Sequence, residues 1–324
     1  MRTTPVRVAA LALALAASSA LAQQYPTKSV TMVVPFAAGG PTDTVARVMA
    51  QAMAKPLGQT VVVENKPSAG GILAAEQVAK AKPDGYSILI HHIGMSTAPA
   101  LYRALRYKPM EEFEYVGLIN EVPMTLIARH NFPAKDLKAF LAHVKANKDK
   151  VSYANAGLGS ASHLCGMLFM SAIQTDVLTV PYKGTAPAMN DLLGGQVDFM
   201  CDQTTNTTSQ IKGGKVIALG VTSRTRVPSL KDLPTLDEQG LKGFDVTVWH
   251  GFYAPKGTPK PVMDKLVEAL QTALRDETVK TRFADLGTEP VAQNRATPEA
   301  LRAHLKAETE KWGPLIKKAG IYAD

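Results

Sequence analysis

The sequence contains little cysteine and, after its first residues, no long apolar run. Its two cysteines, Cys165 and Cys201, are too few for a four-ligand zinc site and are not spaced as C-x-x-C. No stretch beyond residue 22 approaches the length of a membrane-spanning helix. The sequence also lacks basic runs with interleaved aromatic residues, so binding to nucleic acid is not expected.

Motifs for catalysis and cofactors are missing as well. The sequence has no H-E-x-x-H, no Walker lysine motif and no paired metal-ligand cluster. Gly159-Ser160 does not form a G-x-S-x-G elbow, and the run from Gly157 to Ser162 lacks the third glycine of a dinucleotide fingerprint. Ser162 precedes His163, but adjacent residues leaving a turn seldom face each other. We therefore expect a protein that is not an enzyme and that holds no cofactor and no metal.

The first 22 residues have the pattern of a secretory signal peptide. M-R-T-T-P-V-R supplies two arginines, V-A-A-L-A-L-A-L-A-A is a short apolar core, and Ala20-Leu21-Ala22 fits signal-peptidase cleavage. We interpret residues 1–22 as this signal, so the protein should be exported. Its removal takes away two arginines and so lowers the formal charge of +8 by two. The remaining mild excess of positive charge suits the binding of acidic small molecules. The rest of the chain is longer than one core usually accommodates, which favours two lobes.

Strand and helix patterns alternate through the chain. The first half has strands at 29–36, 60–67 and 86–92 around helices at 42–55 and 70–81. The second has strands at 115–120, 124–129, 151–156, 177–182, 196–202 and 215–222, with helices at 137–146, 163–172 and 186–195. Thr258 and Thr297, each followed by proline, are candidate N-caps of two later helices. The alternation predicts an α/β fold with mostly parallel sheets flanked by helices.

Two glycine-containing turns could hold an anion. The first amide groups of a helix lack partners and the helix dipole is positive there, so a carboxylate can be bound without lysine or arginine. F-A-A-G-G-P-T-D at 36–43 and N-A-G-L-G-S-A-S-H at 155–163 each join a predicted strand to a helix. Either alone could be an ordinary tight turn. One in each half suggests a ligand gripped in a cleft between two lobes.

An ordered series of motifs carries a family resemblance. P-F-A-A-G-G-P-T-D, E-N-K-P-S-A-G-G, A-K-A-K-P-D-G-Y, Y-A-N-A-G-L-G-S-A-S-H, V-P-Y-K-G-T-A-P-A and L-L-G-G-Q-V-D occur in that order, followed by L-P-T-L-D-E-Q-G, A-P-K-G-T-P and K-K-A-G-I. The series resembles the extracytoplasmic receptors of the tripartite tricarboxylate transporter family, also called Bug or TctC-like receptors. It covers essentially the whole chain after the signal.

The resemblance implies a type II periplasmic binding protein fold with two lobes that close on a small organic carboxylate. It implies a periplasmic location, and delivery of the ligand to a membrane permease of large and small subunits. The ligand would be a dicarboxylate, a tricarboxylate or an aromatic acid, and the sequence does not choose among them. We expect a monomer, with lobe one at 26–124 plus 248–324 and lobe two at 125–247.

The same resemblance supplies candidate ligand-binding residues. In the first loop they are Phe36, Ala38, Gly39, Gly40, Thr42 and Asp43, and in the second Ala156, Gly159, Ser160 and Ser162. The far end of the ligand would meet His92, Ser96, Thr185 and Asp202, with Gln203 beside them. The run from His91 to Ser96 departs from the small or hydroxyl residues usual in such receptors. At most one of the two adjacent histidines should face the cleft.

Three alternatives stay open from the sequence. Cys165 and Cys201 could form a disulfide in an oxidising compartment or could be two buried free thiols. The same chain could instead be a sensor that docks the periplasmic domain of a signalling protein. An exported hydrolase using Ser160 or Ser162 is a third, less favoured reading.

Overall fold

The structure of the chain is a computed structural model, which describes residues 25–320 and 322–323. The predicted signal peptide lies outside the described residues. The strands are β1 (Val30–Val34), β2 (Val61–Asn65), β3 (Ser87–His92), β4 (Phe113–Arg129), β5 (Ser152–Asn155), β6 (Leu178–Pro181), β7 (Phe199–Gln203), β8 (Val216–Val221), β9 (Thr247–Pro255) and β10 (Glu289–Pro290).

Helices flank these strands. They are α1 (Pro41–Leu57), α2 (Ile72–Ala79), α3 (Gly94–Leu101), α4 (Leu137–Ala146), α5 (Ala161–Ile173), α6 (Thr185–Leu193), α7 (Thr204–Lys212), α8 (Lys260–Arg275), α9 (Glu277–Asp285) and α10 (Pro298–Ala319). Short 3-10 turns lie at Ala69–Gly71, Pro228–Leu230 and Gln293–Arg295. Within the described residues, no helix has the length and apolar character needed to cross a bilayer.

The strands form two sheets that share one long strand. The order is β2-β1-β3-β9-β4-β7-β5-β6, and β8 and β10 also pair with β4. The outer strands pair in parallel, β2 with β1 with β3, and β6 with β5 with β7. The strands in the middle pair antiparallel, because β9 and β4 run against their neighbours. The expected α/β architecture is confirmed. The alternation of strands and helices did not predict the antiparallel pairing of the central strands.

Strand β4 changes partners part-way along its length. It pairs with β9 up to Pro123, opposite Thr247, and with β7 from Met124, opposite Gln203. The sequence predicted two strands here, at 115–120 and 124–129, and the structure has one. Pro123 lies where β4 changes partners. Its missing N–H therefore falls at the end of the hydrogen-bond ladder with β9 and does not interrupt that ladder.

The helices predicted least well are those with weak local signals. The helices α3, α7 and α9 were not predicted: α3 contains Pro99, and α7 is rich in threonine, which has low helix propensity. Thr258 was predicted to cap α8, which is wrong, because that helix begins at Lys260 and the Thr258 hydroxyl donates to the backbone oxygen of Pro255 at 2.7 Å. The second predicted cap is confirmed, since Thr297 Oγ1 accepts from the amide of Ala300 at 3.2 Å.

A disulfide joins Cys165 on α5 to Cys201 on β7. The predicted bond is therefore confirmed, and the alternative of two free thiols is wrong. It ties the helix that follows the second glycine turn to the strand that ends at Asp202. The last helix, α10, buries Leu301, Leu305, Trp312 and Ile316, whereas Leu315 is 45% exposed.

Candidate functional site

A small cavity lies beyond the carboxyl ends of β1, β3, β5 and β7, the edge at which open α/β sheets bind ligands. It is lined by Phe36, Pro41, Thr42, His92, Ala156, Ser160, Ala161, Ser162, Thr185, Asp202 and Gln203. Its volume is ≈ 20 Å³, about the space of one water molecule. An organic acid is larger than this cavity, so the cavity must widen before one can enter.

Asp43 holds the first glycine loop in place. Its carboxylate accepts from the amide of Gly39 at 2.8 Å, from Arg47 Nε at 2.9 Å and from Asn65 Nδ2 at 2.9 Å. Burial alone would raise the pKa of this carboxyl, but the bonds from Arg47, Gly39 and Asn65 outweigh it and lower the pKa. Asp43 does not line the cavity, so we assign it to the support of the loop.

The second loop presents two serine hydroxyls. Ser162 Oγ accepts from the amide of Ala156 at 2.8 Å and lies 3.1 Å from Ser160 Oγ. Ser160 caps α5, because its Oγ accepts from the amide of His163 at 3.2 Å. The ring of His163 is engaged elsewhere, since its Nδ1 accepts from the amide of Gly159 at 3.3 Å. Burial lowers the pKa of His163, so the ring is neutral, and with Nδ1 accepting it carries its proton on Nε2 and has no lone pair left to accept a proton from Ser160 or Ser162.

The far wall of the cavity carries one carboxyl group, that of Asp202. It accepts from the amide of Gln203 at 2.8 Å and from Asn206 Nδ2 at 2.6 Å. Burial raises its pKa to about 7, although these two bonds and the nearby Thr185 hydroxyl act in the opposite direction. Gln203 Oε1 is buried and has no hydrogen-bond partner within the described part of the chain, so it is available to a ligand. The buried Thr185 hydroxyl lies beside the Asp202 carboxylate, to which it can donate.

A group of three buried histidines backs the first loop. His92 stacks on Phe36, with ring centroids 4.7 Å apart, and its Nδ1 accepts from the amide of Gly94 at 2.9 Å. Since burial lowers the pKa of His92 well below its usual value, the ring is neutral and carries its proton on Nε2. His92 thus offers a donor to the cavity that it lines. His91 does not line the cavity.

The third histidine, His250, fixes the hydroxyl of Thr42. Asn120 Nδ2 donates to Thr288 Oγ1 at 3.3 Å, which leaves Asn120 Oδ1 to accept from His250 Nδ1 at 3.0 Å. His250 Nε2 must then accept from Thr42 Oγ1, 3.3 Å away. The oxygen of Thr42 keeps its lone pairs for the cavity. Sequence reasoning missed His250, because it lies on β9, 208 residues beyond Thr42, and no local pattern links them.

Four helices begin at the cavity, and this is the main electrostatic feature of the site. Helix α1 contributes Pro41 and Thr42, α5 contributes Ala161 and Ser162, α6 begins at Thr185 and α7 follows Gln203. Among the described residues that line the cavity there is no lysine or arginine, and Asp202 is the one acid. Four positive dipole ends make this a candidate anion-binding site without a cation.

A larger groove elsewhere does not have these properties. It has a volume of ≈ 500 Å³ and lies between residues 223–229 and 284–295. Helix α9 ends there, so its dipole presents a negative end. The arginines that line it are already paired, Arg226 with Glu238 and Arg295 with Glu121. The smaller cavity therefore fits an anion better than this larger groove does.

Two hydrogen bonds cross the cleft. The amide of Ala37 donates to the backbone oxygen of Lys183 at 3.3 Å, and Tyr102 OH donates to that of Leu158 at 3.0 Å. At Gly184, where φ is +145°, a Cβ atom would lie 3.0 Å from the amide nitrogen of Ala37. Glycine at this position therefore lets the two sides of the cleft approach each other closely.

The structure brings most of the predicted site residues together. Phe36, Thr42, His92, Ala156, Ser160, Ser162, Thr185 and Asp202 line the cavity, with Gln203, whereas Ala38, Gly39, Gly40, Asp43, Ser96 and Gly159 do not. The hydroxyl of Ser96 donates to the backbone oxygen of Ile93 at 2.6 Å, and Asp43 supports its loop. Pro41 and Ala161 also line the cavity and had not been singled out.

The chain matches a family model described as the tripartite tricarboxylate transporter family receptor over residues 45–321. It belongs to this receptor family. A curated relative from Agrobacterium vitis, a UPF0065 protein in the TAR-I ttuE-ttuC' intergenic region, is 54% identical over 296 residues, which cover 91% of this chain and 86% of the relative. The resemblance drawn from the motifs is thereby confirmed.

Two solved structures extend the comparison. The periplasmic binding protein BugD is 59% identical, with a TM-score of 0.90 over 92% of this chain and 99% of BugD. MatC from Rhodopseudomonas palustris, solved with bound malate, is 42% identical, with a TM-score of 0.87 over 90% of this chain and 100% of MatC. The chain is therefore a two-lobe solute-binding receptor of the periplasmic type, and the family and these neighbours are receptors rather than enzymes.

Proposed function

We propose that this receptor captures a small organic carboxylate in the cavity between its lobes and delivers it to a membrane permease of large and small subunits. The observation that carries the proposal is the convergence of four helix N-termini on a buried cavity without a lining cation. Such a site favours a carboxylate already charged in water over a neutral solute of the same shape. The malate bound by MatC supports the same ligand class.

In this proposal the lobes are residues 26–124 plus 248–324 and residues 125–247. The change of partners of β4 at Pro123 and Met124, and the start of β9 at Thr247, support these bounds. Loop 36–43 and His92 then come from lobe one, and Ala156, Ser162, Thr185 and Asp202 come from lobe two. A ligand that contacts both sets favours the closed state, by as much as its affinity differs between the closed and open states.

The residues of the binding site take distinct roles. One carboxylate of the ligand accepts from the first-turn amides of α1 and α5, with Ser160 and Ser162 adding hydroxyls. The rest of the ligand meets His92, Thr185, Asp202 and Gln203. Asp43, Gly39 and Gly40 shape the first loop from behind.

A thermal-shift screen of the purified mature protein tests the proposal. Dicarboxylates, tricarboxylates and aromatic acids are compared with the matched neutral amides. A ligand at 100 to 1,000 times its dissociation constant should stabilise the protein by roughly 3–4 kcal/mol, and its amide should not. Stabilisation by no carboxylate, or equally by acid and amide, would overturn the proposal.

Delivery needs a test in cells. Deleting the gene should abolish high-affinity uptake of the acid that gives the largest shift, and the wild-type gene should restore it. If uptake persists while a transcriptional response to the acid is lost, the chain is a sensor rather than a transport receptor.

A further inference from the structure

The polar groups around the cavity form a pattern that goes beyond the binding of one carboxylate. Resting on the proposed function, we propose that His92 and Asp202 together recognise a hydroxyl group of the ligand, so that this receptor prefers hydroxy acids to the corresponding acids without the hydroxyl. His92 donates a hydrogen bond to the hydroxyl oxygen, and Asp202 accepts one from the hydroxyl proton. The two residues are then specificity-determining.

The donor is fixed by the backbone next to His92. The amide of Gly94 donates to Nδ1 at 2.9 Å, so the proton of the neutral ring is on Nε2. Stacking on Phe36 at 4.7 Å holds the plane of the ring. His92 cannot turn its Nδ1 to the cavity without losing the bond from Gly94. It therefore presents an N–H group and does not present a lone pair.

The acceptor, the Asp202 carboxylate, is held by groups at the start of α7. The groups that bind the Asp202 carboxylate are all donors: the amide of Gln203 on Oδ1, Asn206 Nδ2 on Oδ2, and the nearby Thr185 hydroxyl. A carboxylate has about four lone-pair sites, so at least one stays free for the cavity. Thr42 adds a second acceptor, because its proton is given to His250. Thr42, His92 and Asp202 all line the same cavity of ≈ 20 Å³.

Among simple ligand groups, a hydroxyl satisfies this arrangement best. It has one proton to give and lone pairs with which to accept. A carboxylate can accept from His92 but is repelled by ionised Asp202. An ammonium group can donate to Asp202 but has no lone pair for His92, whose buried N–H would stay unpaired. A methylene leaves both groups unpaired.

The experiment compares malate with succinate, which differ by one hydroxyl, by calorimetry on the full mature protein. Wild type should bind malate at least about tenfold more tightly, since a hydrogen bond to a charged group is at stake. Asp202→Asn keeps the shape of the side chain and offers amide protons, with Asn206 free to turn its own oxygen towards them. This variant should bind succinate better than wild type does, and its preference for malate should fall about tenfold or more.

Two further variants separate recognition from structure. His92→Phe keeps the stacked ring and removes the donor, and it should lower the preference for malate. Asp198→Asn is the matched control in lobe two, because this carboxylate is engaged by Arg129 and Ser152 and does not line the cavity. It should reduce stability and leave the preference unchanged.

The pH dependence gives an independent readout. The titratable groups facing Asp202 are Tyr153 on β5 and His92 across the cleft, and burial keeps both neutral. Because burial raises the pKa of Asp202 to about 7, the fraction ionised grows between pH 6 and pH 8. The preference for malate should rise over that range in wild type and stay flat in Asp202→Asn.

The outcomes distinguish this inference from the proposed function. Equal binding of malate and succinate, or a preference that Asp202→Asn leaves unchanged, overturns the role of Asp202 and leaves a carboxylate receptor. Binding of neither acid while another carboxylate binds overturns the hydroxyl preference alone. Failure of every carboxylate in the wider screen overturns the proposed function itself.

Discussion

The hydroxyl of Thr222 donates to the backbone oxygen of Val246 at 2.6 Å, and the two residues lie where we propose that the chain passes between the lobes. The same hydroxyl oxygen accepts from the amide of Met124 at 3.0 Å. Met124 and Val246 belong to the two crossing segments, so Thr222 ties one crossing to the other. Thr222, Met124 and Val246 are all buried, and the exposed fraction of Thr222 is 0%.

Replacing Thr222 with valine should therefore weaken the hinge. The change keeps the shape and leaves the Met124 amide and the Val246 oxygen without this partner, at a cost of about 1–3 kcal/mol in the free energy of unfolding. Chemical denaturation measures it. The control is Thr179→Val on β6, where the half-buried hydroxyl makes one long bond of 3.5 Å, to the backbone oxygen of Val177. Equal losses in both variants would contradict the role of Thr222.

Asp43→Asn should weaken ligand binding although Asp43 does not line the cavity. The variant loses the charge that holds Arg47 and the acceptor geometry that holds Gly39, so the first loop relaxes. We expect a several-fold loss of affinity by calorimetry. Glu111→Gln, in an ion pair with Lys108 whose side chains are each 66% exposed, is the control and should change nothing. Unchanged affinity in Asp43→Asn would show that the loop does not depend on this carboxylate.

The same residue predicts a dependence of stability on pH. Because the pKa of Asp43 is lowered in the folded protein, its contribution is fully present above the ordinary aspartate pKa of about 4. That contribution is lost as the pH falls through the folded value. Unfolding free energies measured between pH 6 and pH 2.5 should therefore converge for wild type and Asp43→Asn at the acid end. Parallel curves would contradict this account.

Gly184→Ala should impair closure of the cleft. The new Cβ would lie 3.0 Å from the amide nitrogen of Ala37 and 3.1 Å from its Cβ, on the opposite side of the cleft. Affinity should fall tenfold or more in calorimetry. Gly195→Ala is the matched control, because φ is +75° there and nothing lies within 4 Å of the added atom. Both variants carry backbone strain, so a loss of affinity in both would mean that strain rather than closure is responsible.

Ser162→Ala tests the second loop. It removes the acceptor of the Ala156 amide and a hydroxyl that lines the cavity, and we expect affinity to fall about ten- to a hundredfold. Mass spectrometry of the ligand after incubation with wild type should recover it unchanged. Conversion of the ligand that disappears in Ser162→Ala would instead indicate a hydrolase.

Local sequence patterns predicted much of this fold. The helix predicted at 137–146 matches α4, and α1 and α5 begin at the two glycine turns, because capping and turn residues act over a few positions. The same rules missed α7, whose run of threonines favours other structures, and the antiparallel pairing of β4 with β9, which joins residues far apart in sequence. The sequence could not decide whether the disulfide forms, because a disulfide depends on the distance and orientation of the two cysteines in space.

The candidate site divides in the same way. Residues next to the glycine turns, such as Thr42 and Ser162, could be predicted because a strand–helix turn places them at a helix N-terminus. The support from His250 and the orientation of the His92 ring could not, because they follow from how β3, β9 and α1 meet in space. Asp43 was predicted to bind the ligand because of its place in the first glycine turn. In the structure its carboxylate instead accepts from the amide of Gly39 within the loop.

The most direct measurement is a crystal structure of the mature protein with the acid that gives the largest thermal shift. The account predicts one carboxylate between α1 and α5, with its oxygens about 2.7–3.2 Å from first-turn amide nitrogens of both helices and no lysine or arginine in contact with it. An acid bound in the groove between 223–229 and 284–295, or one held by an arginine, would contradict the account.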